Sequence, residues 1–89
     1  MKLFKCGRAR EIYETMFARG IPEHVSIAAY RKMRILVAAR SLQDVGIIGS
    51  IVHWRNASDR LGLTVHGKWH VTFSWNDEFG AWSIDLERR

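Results

Sequence analysis

One stretch of the chain, residues 64–75, carries the clearest period-two pattern and therefore constrains the fold most. From Trp69 onward, apolar residues at positions 69, 71, 73 and 75 alternate with polar residues at positions 70, 72 and 74. This alternation is typical of a strand with one buried face and one wet face. We therefore expect the wet face to be the first place to look for a binding or active surface.

The residues before Trp69 predict a β-hairpin with a defined register. If residues 66–68 form a three-residue loop, all apolar residues of the two strands fall on one side of the sheet. The resulting pairs are Leu61–Phe73, Leu63–Val71 and Val65–Trp69. A two-residue loop would instead pair Val65 with His70 and mix the faces, so the three-residue loop is the prediction.

A second turn, residues 76–80, precedes another alternating run in which Trp82, Ile84 and Leu86 are apolar. Pairing the two core faces places His70 opposite Glu87 or Asp85, depending on whether the loop has six or four residues. In either register a histidine meets a carboxylate, a pair suited to general acid–base chemistry. The plainer alternative is a cross-strand polar pair on a solvated sheet face.

The first half of the chain predicts two helices. Apolar residues recur at helical spacing from Arg8, and Gly20 stands where a C-cap glycine is expected, which predicts a helix of about a dozen residues. Its stripe contains Ile12, Met16 and Phe17.

A second helix is predicted from Glu23 to about Arg40, after the break at Pro22. Its apolar stripe contains Ala29, Met33, Leu36 and Val37. Residues 41–49 predict an irregular connection, and residues 3–6 a short opening strand. The predicted architecture is α+β: an N-terminal helical hairpin packed on a small, mainly antiparallel β-sheet.

Composition limits the classes of protein to which this sequence can belong. Its 89 residues, 47% of them hydrophobic, predict one domain over residues 1–89 with a single modest core. The lone cysteine, Cys6, excludes an intramolecular disulfide and a cysteine zinc site. Since no apolar run reaches the length of a signal peptide or a membrane span, we expect a soluble cytoplasmic protein.

The formal charge of +5 is concentrated in the first half of the chain. Residues 1–45 carry nine Lys/Arg against four Asp/Glu, whereas residues 46–89 carry five of each. Such asymmetry indicates an acidic partner, either nucleic acid or an acidic protein segment. The alternative is an ordinary solvated basic helix face.

Basic side chains near aromatic residues are candidates for binding nucleic acid, because guanidinium groups hold phosphates and aromatic rings stack on bases. The candidates for phosphate binding are Arg55, Lys68, Arg88 and Arg89. The nearby aromatic residues are Trp54 and Trp69. We expect Trp69 and Trp75 to be core residues, and the sequence leaves the role of Trp54 open.

No metal site or cofactor is predicted. His66 and His70 look like a ligand pair in sequence, but four residues along a strand span about 13 Å, so their rings are not expected to converge. His24 is expected to be a plain surface residue. The sequence has no nucleophile-and-base signature, glycine-rich phosphate loop or paired-carboxylate motif.

Three segments carry a family resemblance: Arg31–Asp44, Ser58–Arg60 and Thr64–Phe73. In this order they resemble the HigB branch of the RelE/ParE toxin superfamily. That branch has a basic helix ending in a Leu-x-x-Ala-x-x-Leu-x-Asp pattern, a Gly-Asp-Arg loop and a Trp-Arg-Ile/Val-x-Phe strand. The Phe-Lys-Cys opening is also similar, so the resemblance covers nearly the whole chain.

The resemblance implies a RelE-like fold and a toxin of a type II toxin–antitoxin pair. Such a toxin cuts messenger RNA in the ribosomal A site without a metal, and a HigA-like helix-turn-helix antitoxin neutralises it in a hetero-oligomer. Cleavage in this family proceeds by attack of the 2′-hydroxyl on the adjacent phosphate. The protein therefore needs only to position RNA, move protons and stabilise charge.

The sequence departs from the family pattern at positions that are implied to carry catalysis. His70 replaces the strand arginine, Arg55 is the basic residue nearest to the family's loop lysine, and the Asp-Tyr-His ending is absent. His53, Asp59 and Arg60 are retained. The resulting catalytic candidates are His70, His53, Arg60 and Glu87.

Two alternatives follow from these departures. The chain could be a weakened or inactive homologue that binds an antitoxin or nucleic acid through its basic second helix. It could also be a ParE-like gyrase inhibitor, since fold does not fix function.

Overall fold

The computed structural model describes residues 2–47, 49–54 and 60–88. These residues form an α+β fold, which confirms the predicted class. The helices in chain order are α1 (Gly7–Thr15), α2 (Glu23–Ala38) and α3 (Leu42–Gly46). The strands are β1 (Ile51–His53), β2 (Leu61–His66), β3 (Trp69–Asn76) and β4 (Gly80–Arg88).

The first helix is shorter than its sequence pattern predicts. α1 ends at Thr15, and Met16 takes a left-handed conformation with φ of 72° while its N–H donates to the Ile12 carbonyl. The chain turns away there and leaves Phe17 47% exposed. The predicted helix end at Gly20 is therefore wrong, and Gly20, with φ of 85°, lies in the turn before α2.

The second helix agrees with its prediction to within two residues. α2 begins at Glu23, directly after Pro22, and ends at Ala38. Its predicted stripe is confirmed by three fully buried residues, Ala29, Met33 and Leu36. Val37 is half-buried against the same core.

The predicted irregular connection over residues 41–49 contains the short helix α3. Ser41 is its N-cap, and the Ser41 hydroxyl accepts a hydrogen bond from the Asp44 N–H at 3.2 Å. Val45 is fully buried and fixes α3 to the core. A serine three residues before an aspartate is a recognisable N-cap pattern, and it is the local signal that the prediction overlooked.

The four strands form an antiparallel sheet in the order β1–β2–β3–β4. Beyond β4, the N-terminal segment adds a parallel bridge between Phe4 and Ile84, with the Lys5 N–H donating to the Ile84 carbonyl at 2.8 Å. The predicted opening strand is reduced to this bridge.

Apolar side chains from the helices and from one face of the sheet form the core. From the helices come Ala9, Ile12, Val25, Ala29, Met33, Leu36 and Val45, and from the sheet Leu63, Val71, Phe73, Ala81, Ile84 and Leu86. Within the described ranges, no helix has both the length and the apolar character needed to cross a membrane.

The β2–β3 hairpin has the predicted core register but a different turn. Leu61 pairs with Phe73 and Leu63 with Val71, as predicted, whereas His66 and not Val65 pairs with Trp69. The turn contains only Gly67 and Lys68, and an irregularity between Thr64 and His66 takes up the extra residue. A bulge thus lets a two-residue turn keep the apolar faces aligned.

The β3–β4 pairing places His70 directly opposite Glu87, one of the two predicted registers. Closer to the turn the register shifts, because Thr72 pairs with Asp85 but Ser74 pairs with Trp82. Between these two pairs, β4 therefore contains one more residue than β3. The shift removes Trp82 from the predicted apolar face, so that the buried apolar residues of β4 are Ala81, Ile84 and Leu86.

Candidate functional site

The polar face of β3 is buried, which corrects the expectation of a wet surface. His70, Thr72 and Ser74 are each no more than 5% exposed. Side chains from neighbouring segments lie over or beside them. Together they form what we call the polar cluster: Trp54, Arg60, His70, Thr72, Ser74 and Glu87.

Arg60 connects the strands of the polar cluster. Its Nη2 donates to Thr72 Oγ1 at 2.9 Å, and its Nη1 donates to the Ser83 carbonyl at 2.7 Å and to Ser74 Oγ at 3.3 Å. The residue is only 9% exposed. Its buried Nε has no hydrogen-bond partner within the described ranges.

The bulge in β4 provides the main-chain acceptor for Arg60. Ser83 has φ of 54°, a left-handed conformation that few residues other than glycine adopt. It lies where the β3–β4 register shifts, between the pairs Thr72–Asp85 and Ser74–Trp82. Bulges of this kind redirect backbone groups, and here the Ser83 carbonyl faces a buried cation.

A hydroxyl group links the arginine to the carboxylate. Thr72 Oγ1 accepts from Arg60 and donates to Glu87 Oε2 at 2.6 Å. Short hydrogen bonds to an ionised acceptor are the stronger class. The hydrogen-bonded path Arg60–Thr72–Glu87 therefore connects a positive and a negative group beside His70.

The side chain of His70 is held on both sides. Its Nδ1 lies 3.0 Å from the Lys68 carbonyl, and its ring centre is 4.9 Å from that of Trp54. Because a carbonyl can only accept, Nδ1 carries the proton of this hydrogen bond, and in the neutral imidazole the lone pair is on Nε2. Nε2 is therefore the atom of His70 that can accept a proton.

Trp54, whose role the sequence left open, is buried over the polar cluster. It is 5% exposed, and its main-chain N–H donates to the Arg60 carbonyl at 3.0 Å. Gly62 makes room for the indole, because a Cβ at that position would lie 2.9 Å from Trp54 Cε3. The glycine in β2 thus permits Trp54 to cover the sheet and reach His70.

The structure does not bring His53 into the polar cluster. His53 is exposed and pairs with Leu61, which pairs in turn with Phe73 on the core face. It is therefore about 10 Å along the strands and two strands away from His70, and the alternation of side chains directs the two residues to opposite faces.

Two of the four predicted phosphate binders, Lys68 and Arg88, lie at one end of the sheet. Lys68 is exposed in the β2–β3 turn, and Arg88 is exposed at the end of β4 opposite Trp69. Both adjoin the His70–Glu87 pair in the sequence. Arg55, Arg89 and the loop residue Asp59 lie outside the described residues.

Another exposed cation, Arg34, lies on α2. Hydrogen bonding to Tyr13 first, and then to Tyr30, raises the pKa of Arg34 above its already high ordinary value. The guanidinium group lies 4.8 Å from the centre of the Tyr13 ring, and its Nε donates to the Tyr30 hydroxyl at 3.2 Å. This cation is positioned by aromatic side chains and lies apart from the polar cluster.

A groove of about 540 Å³ lies elsewhere, lined by residues 2–7 and Arg10. Its thiol group is that of Cys6, whose Sγ donates to Asp85 Oδ1 at 2.9 Å. The groove has no histidine among its lining residues. We therefore assign the candidate site to the polar cluster on its chemistry rather than on concavity.

Several members of the polar cluster were not predicted as site residues. Thr72 and Ser74 occupy the polar positions of the opening pattern, so the alternation already pointed to them, although as solvent-facing groups. Nothing local indicated that Ser83 would supply a carbonyl or that Trp54 would cover His70. Those contacts depend on the bulge in β4 and on Gly62.

No group of three or more metal-ligating side chains is found in the part of the chain that the structure describes. The polar cluster instead combines an imidazole, a carboxylate and a guanidinium group, which together can move protons and stabilise negative charge. Comparison with known proteins found no matching family model and no similar curated protein.

Proposed function

We propose that this chain is the toxin of a type II toxin–antitoxin pair and that it cuts messenger RNA on the ribosome. One observation carries the proposal: His70 and Glu87 are paired across β3 and β4, and Arg60 is linked to Glu87 through the Thr72 hydroxyl. The family resemblance of the sequence and the basic turn residue Lys68 support it. The proposed location is the cytoplasm, where ribosomes are found.

The proposed reaction is attack of an RNA 2′-hydroxyl oxygen on the adjacent phosphorus. An oxygen–phosphorus bond forms, the bond to the 5′-oxygen breaks, and a 2′,3′-cyclic phosphate results. The Nε2 of His70 takes the proton of the 2′-hydroxyl, because Nδ1 is held by the Lys68 carbonyl. The carboxylate of Glu87 is on the strand residue paired with His70. The departing 5′-oxygen receives a proton from protonated His70 or from water.

Arg60 stabilises the negative charge that develops on the phosphate. Its Nη atoms donate to Thr72, Ser74 and the Ser83 carbonyl, and its Nε, which has no partner within the described residues, is the proposed donor to a phosphate oxygen. Lys68 and Arg88 contribute positive charge at the rim of the site, where they position the RNA backbone.

Access of RNA requires a movement of Trp54. The indole covers His70, and both residues are 5% exposed. The reaction therefore requires that Trp54 leaves the imidazole when RNA binds. The expected partners are the ribosome, messenger RNA and a HigA-like helix-turn-helix antitoxin that holds the toxin in an inactive hetero-oligomer.

The proposal is tested by inducing the chain in growing bacteria and mapping transcript ends by primer extension. The wild type is expected to arrest growth and to produce new 5′ ends within coding regions. His70→Gln, which keeps a polar side chain of similar volume, is expected to abolish both effects. His24→Gln is the matched control and should remain toxic. Intact transcripts and normal translation at high expression of the wild type contradict the proposal.

One observation favours a second candidate function, a binding module without catalytic activity. His70 and Arg60 are buried, and a catalytic pair that never opens to solvent cannot reach a phosphate. This candidate predicts no growth arrest at any expression level, together with tight binding of the antitoxin or of RNA through the basic surface of α2. Fluorescence anisotropy with labelled RNA, compared between wild type and Arg34→Ala, separates the two candidates.

A further inference from the structure

Two exposed histidines that are distant in sequence meet at the surface. His24 lies in the first turn of α2, and His66 is the last residue of β2. Their ring centres are 4.7 Å apart and their planes are inclined at 80°. The sequence predicts that His66 and His70 do not converge and that His24 is a plain surface residue, whereas the fold buries His70 in the polar cluster and brings His24 to His66.

The separation of the two rings fits a shared metal ion. A transition metal lies about 2.0–2.1 Å from a ligating imidazole nitrogen and hence about 3.2 Å from the ring centre. Two such imidazoles at a ligand–metal–ligand angle of about 90–110° have ring centres about 4.5–5.2 Å apart. The observed 4.7 Å lies within this interval. Both side chains are exposed, so their rings are free to turn and direct one nitrogen each to the same ion.

We propose that His24 and His66 form a surface site for a divalent transition-metal ion. Neutral imidazole is the preferred ligand of nickel, copper and zinc, and magnesium and calcium prefer oxygen ligands. No third metal-ligating side chain completes a cluster in the described ranges. The remaining coordination positions are therefore filled by water or by a ligand from a binding partner.

An ion at this site connects α2 to the β2–β3 hairpin. The two histidines are close only in the folded chain, so the ion stabilises the folded state relative to the unfolded state. At a metal concentration ten times the dissociation constant, the ratio of folded to unfolded chain is expected to rise about tenfold. The site is independent of the proposed RNA chemistry, which uses the other histidine of the hairpin, His70.

The test uses urea denaturation of the untagged full chain, with nickel chloride alone as the probe. Nickel avoids the oxidation of the Cys6 thiol that copper promotes. The wild type is expected to unfold at higher urea concentration with nickel than with excess chelator. His24→Ala and His66→Ala are each expected to abolish the difference, and the matched control His53→Ala, another exposed histidine, is expected to keep it.

A second measurement locates the ion directly. Paramagnetic nickel should broaden the imidazole NMR signals of His24 and His66 at lower metal concentration than the signal of His53. A nickel effect of equal size in wild type, His24→Ala and His66→Ala overturns the proposal. The absence of a shift in the wild type together with broadening first at His53 overturns it as well.

Discussion

The central residues of both faces of β3 are buried, but the two faces are stabilised in different ways. On one face, Val71 and Phe73 are fully buried among helix side chains. On the other face, His70 and Thr72 are just as deeply buried, but among hydrogen-bonding groups and beneath Trp54. Burial alone therefore does not distinguish the structural face from the candidate functional face.

The difference lies in how each face tolerates change. Apolar packing is non-directional, so its contribution depends mainly on the volume and surface that are buried. A hydrogen-bonded face depends on partners, because removal of one group leaves the others buried and unsatisfied. Four substitutions, ordered from the largest expected effect on stability to the smallest, test this comparison.

Phe73→Ala on the apolar face is expected to have the largest effect. The side chain is fully buried, and truncation to alanine leaves a cavity that lowers the free energy of unfolding by about 3–5 kcal/mol. Urea denaturation followed by circular dichroism measures the loss, and Phe73→Leu serves as a milder control. A loss below 1 kcal/mol, on the order of a surface substitution, contradicts the assignment of Phe73 to the core.

Arg60→Met on the polar face is expected to lower the free energy of unfolding by about 2–3 kcal/mol. Methionine keeps much of the side-chain length but removes the donors to Thr72, Ser74 and the Ser83 carbonyl. The same denaturation experiment measures the loss.

Arg60→Lys is the matched control for the charge of Arg60. It retains the positive charge but not the forked geometry of the guanidinium group, so an intermediate loss of stability is expected. A gain in stability on Arg60→Met would show that hydrogen bonding at this face does not offset the desolvation of the buried cation.

Gly62→Ala is expected to lower stability by about 1–2 kcal/mol, because the new methyl group meets the Trp54 ring. A Cβ atom at position 62 would lie 2.9 Å from Trp54 Cε3, which is too short for the ring to stay in place. Near-ultraviolet circular dichroism should report the displaced indole, and the His70 ring should become more exposed. Unchanged aromatic spectra and unchanged stability would mean that Trp54 does not lie on β2 as described.

Lys68→Ala is expected to change stability by less than about 0.5 kcal/mol, because the side chain is exposed in a turn. If the proposed function is correct, the same variant reduces RNA binding and makes that binding less sensitive to salt, since one phosphate contact is lost. Titration of labelled RNA at two salt concentrations measures both. Equal affinity and equal salt dependence in wild type and variant argue against a role for Lys68 at a phosphate.

Much of the sheet could be predicted from the sequence, because strand alternation is a local property. The pairs Leu61–Phe73 and Leu63–Val71 follow from keeping apolar residues on one side, and the same rule limits the partner of His70 to Glu87 or Asp85. The alternation gave the core register of the hairpin but not the length of its turn. A bulge near Val65 accommodates the extra residue without disturbing the pairs farther from the turn.

The candidate site was less predictable, because its members depend on contacts that the local sequence does not encode. Neither Trp54 nor Arg60 carries a local sequence signal that it covers a polar strand face. The positive φ of Ser83 could not be predicted either, because the residue is not a glycine. The meeting of His24 with His66 depends on how α2 is placed against the hairpin, which periodicity cannot give.

The parallel bridge between Phe4 and Ile84 has a consequence for the order of folding. The β3–β4 hairpin closes over a short loop, whereas the hydrogen bond from Cys6 to Asp85 joins residues 79 positions apart. The entropic free-energy cost of closing a loop rises by about 0.6 kcal/mol for each doubling of loop length. Contacts between residues that are far apart in sequence also slow folding. We therefore expect the hairpin to form early and the N-terminal segment to dock last, so that amide hydrogens around Ile84 gain protection from exchange later than those of β3.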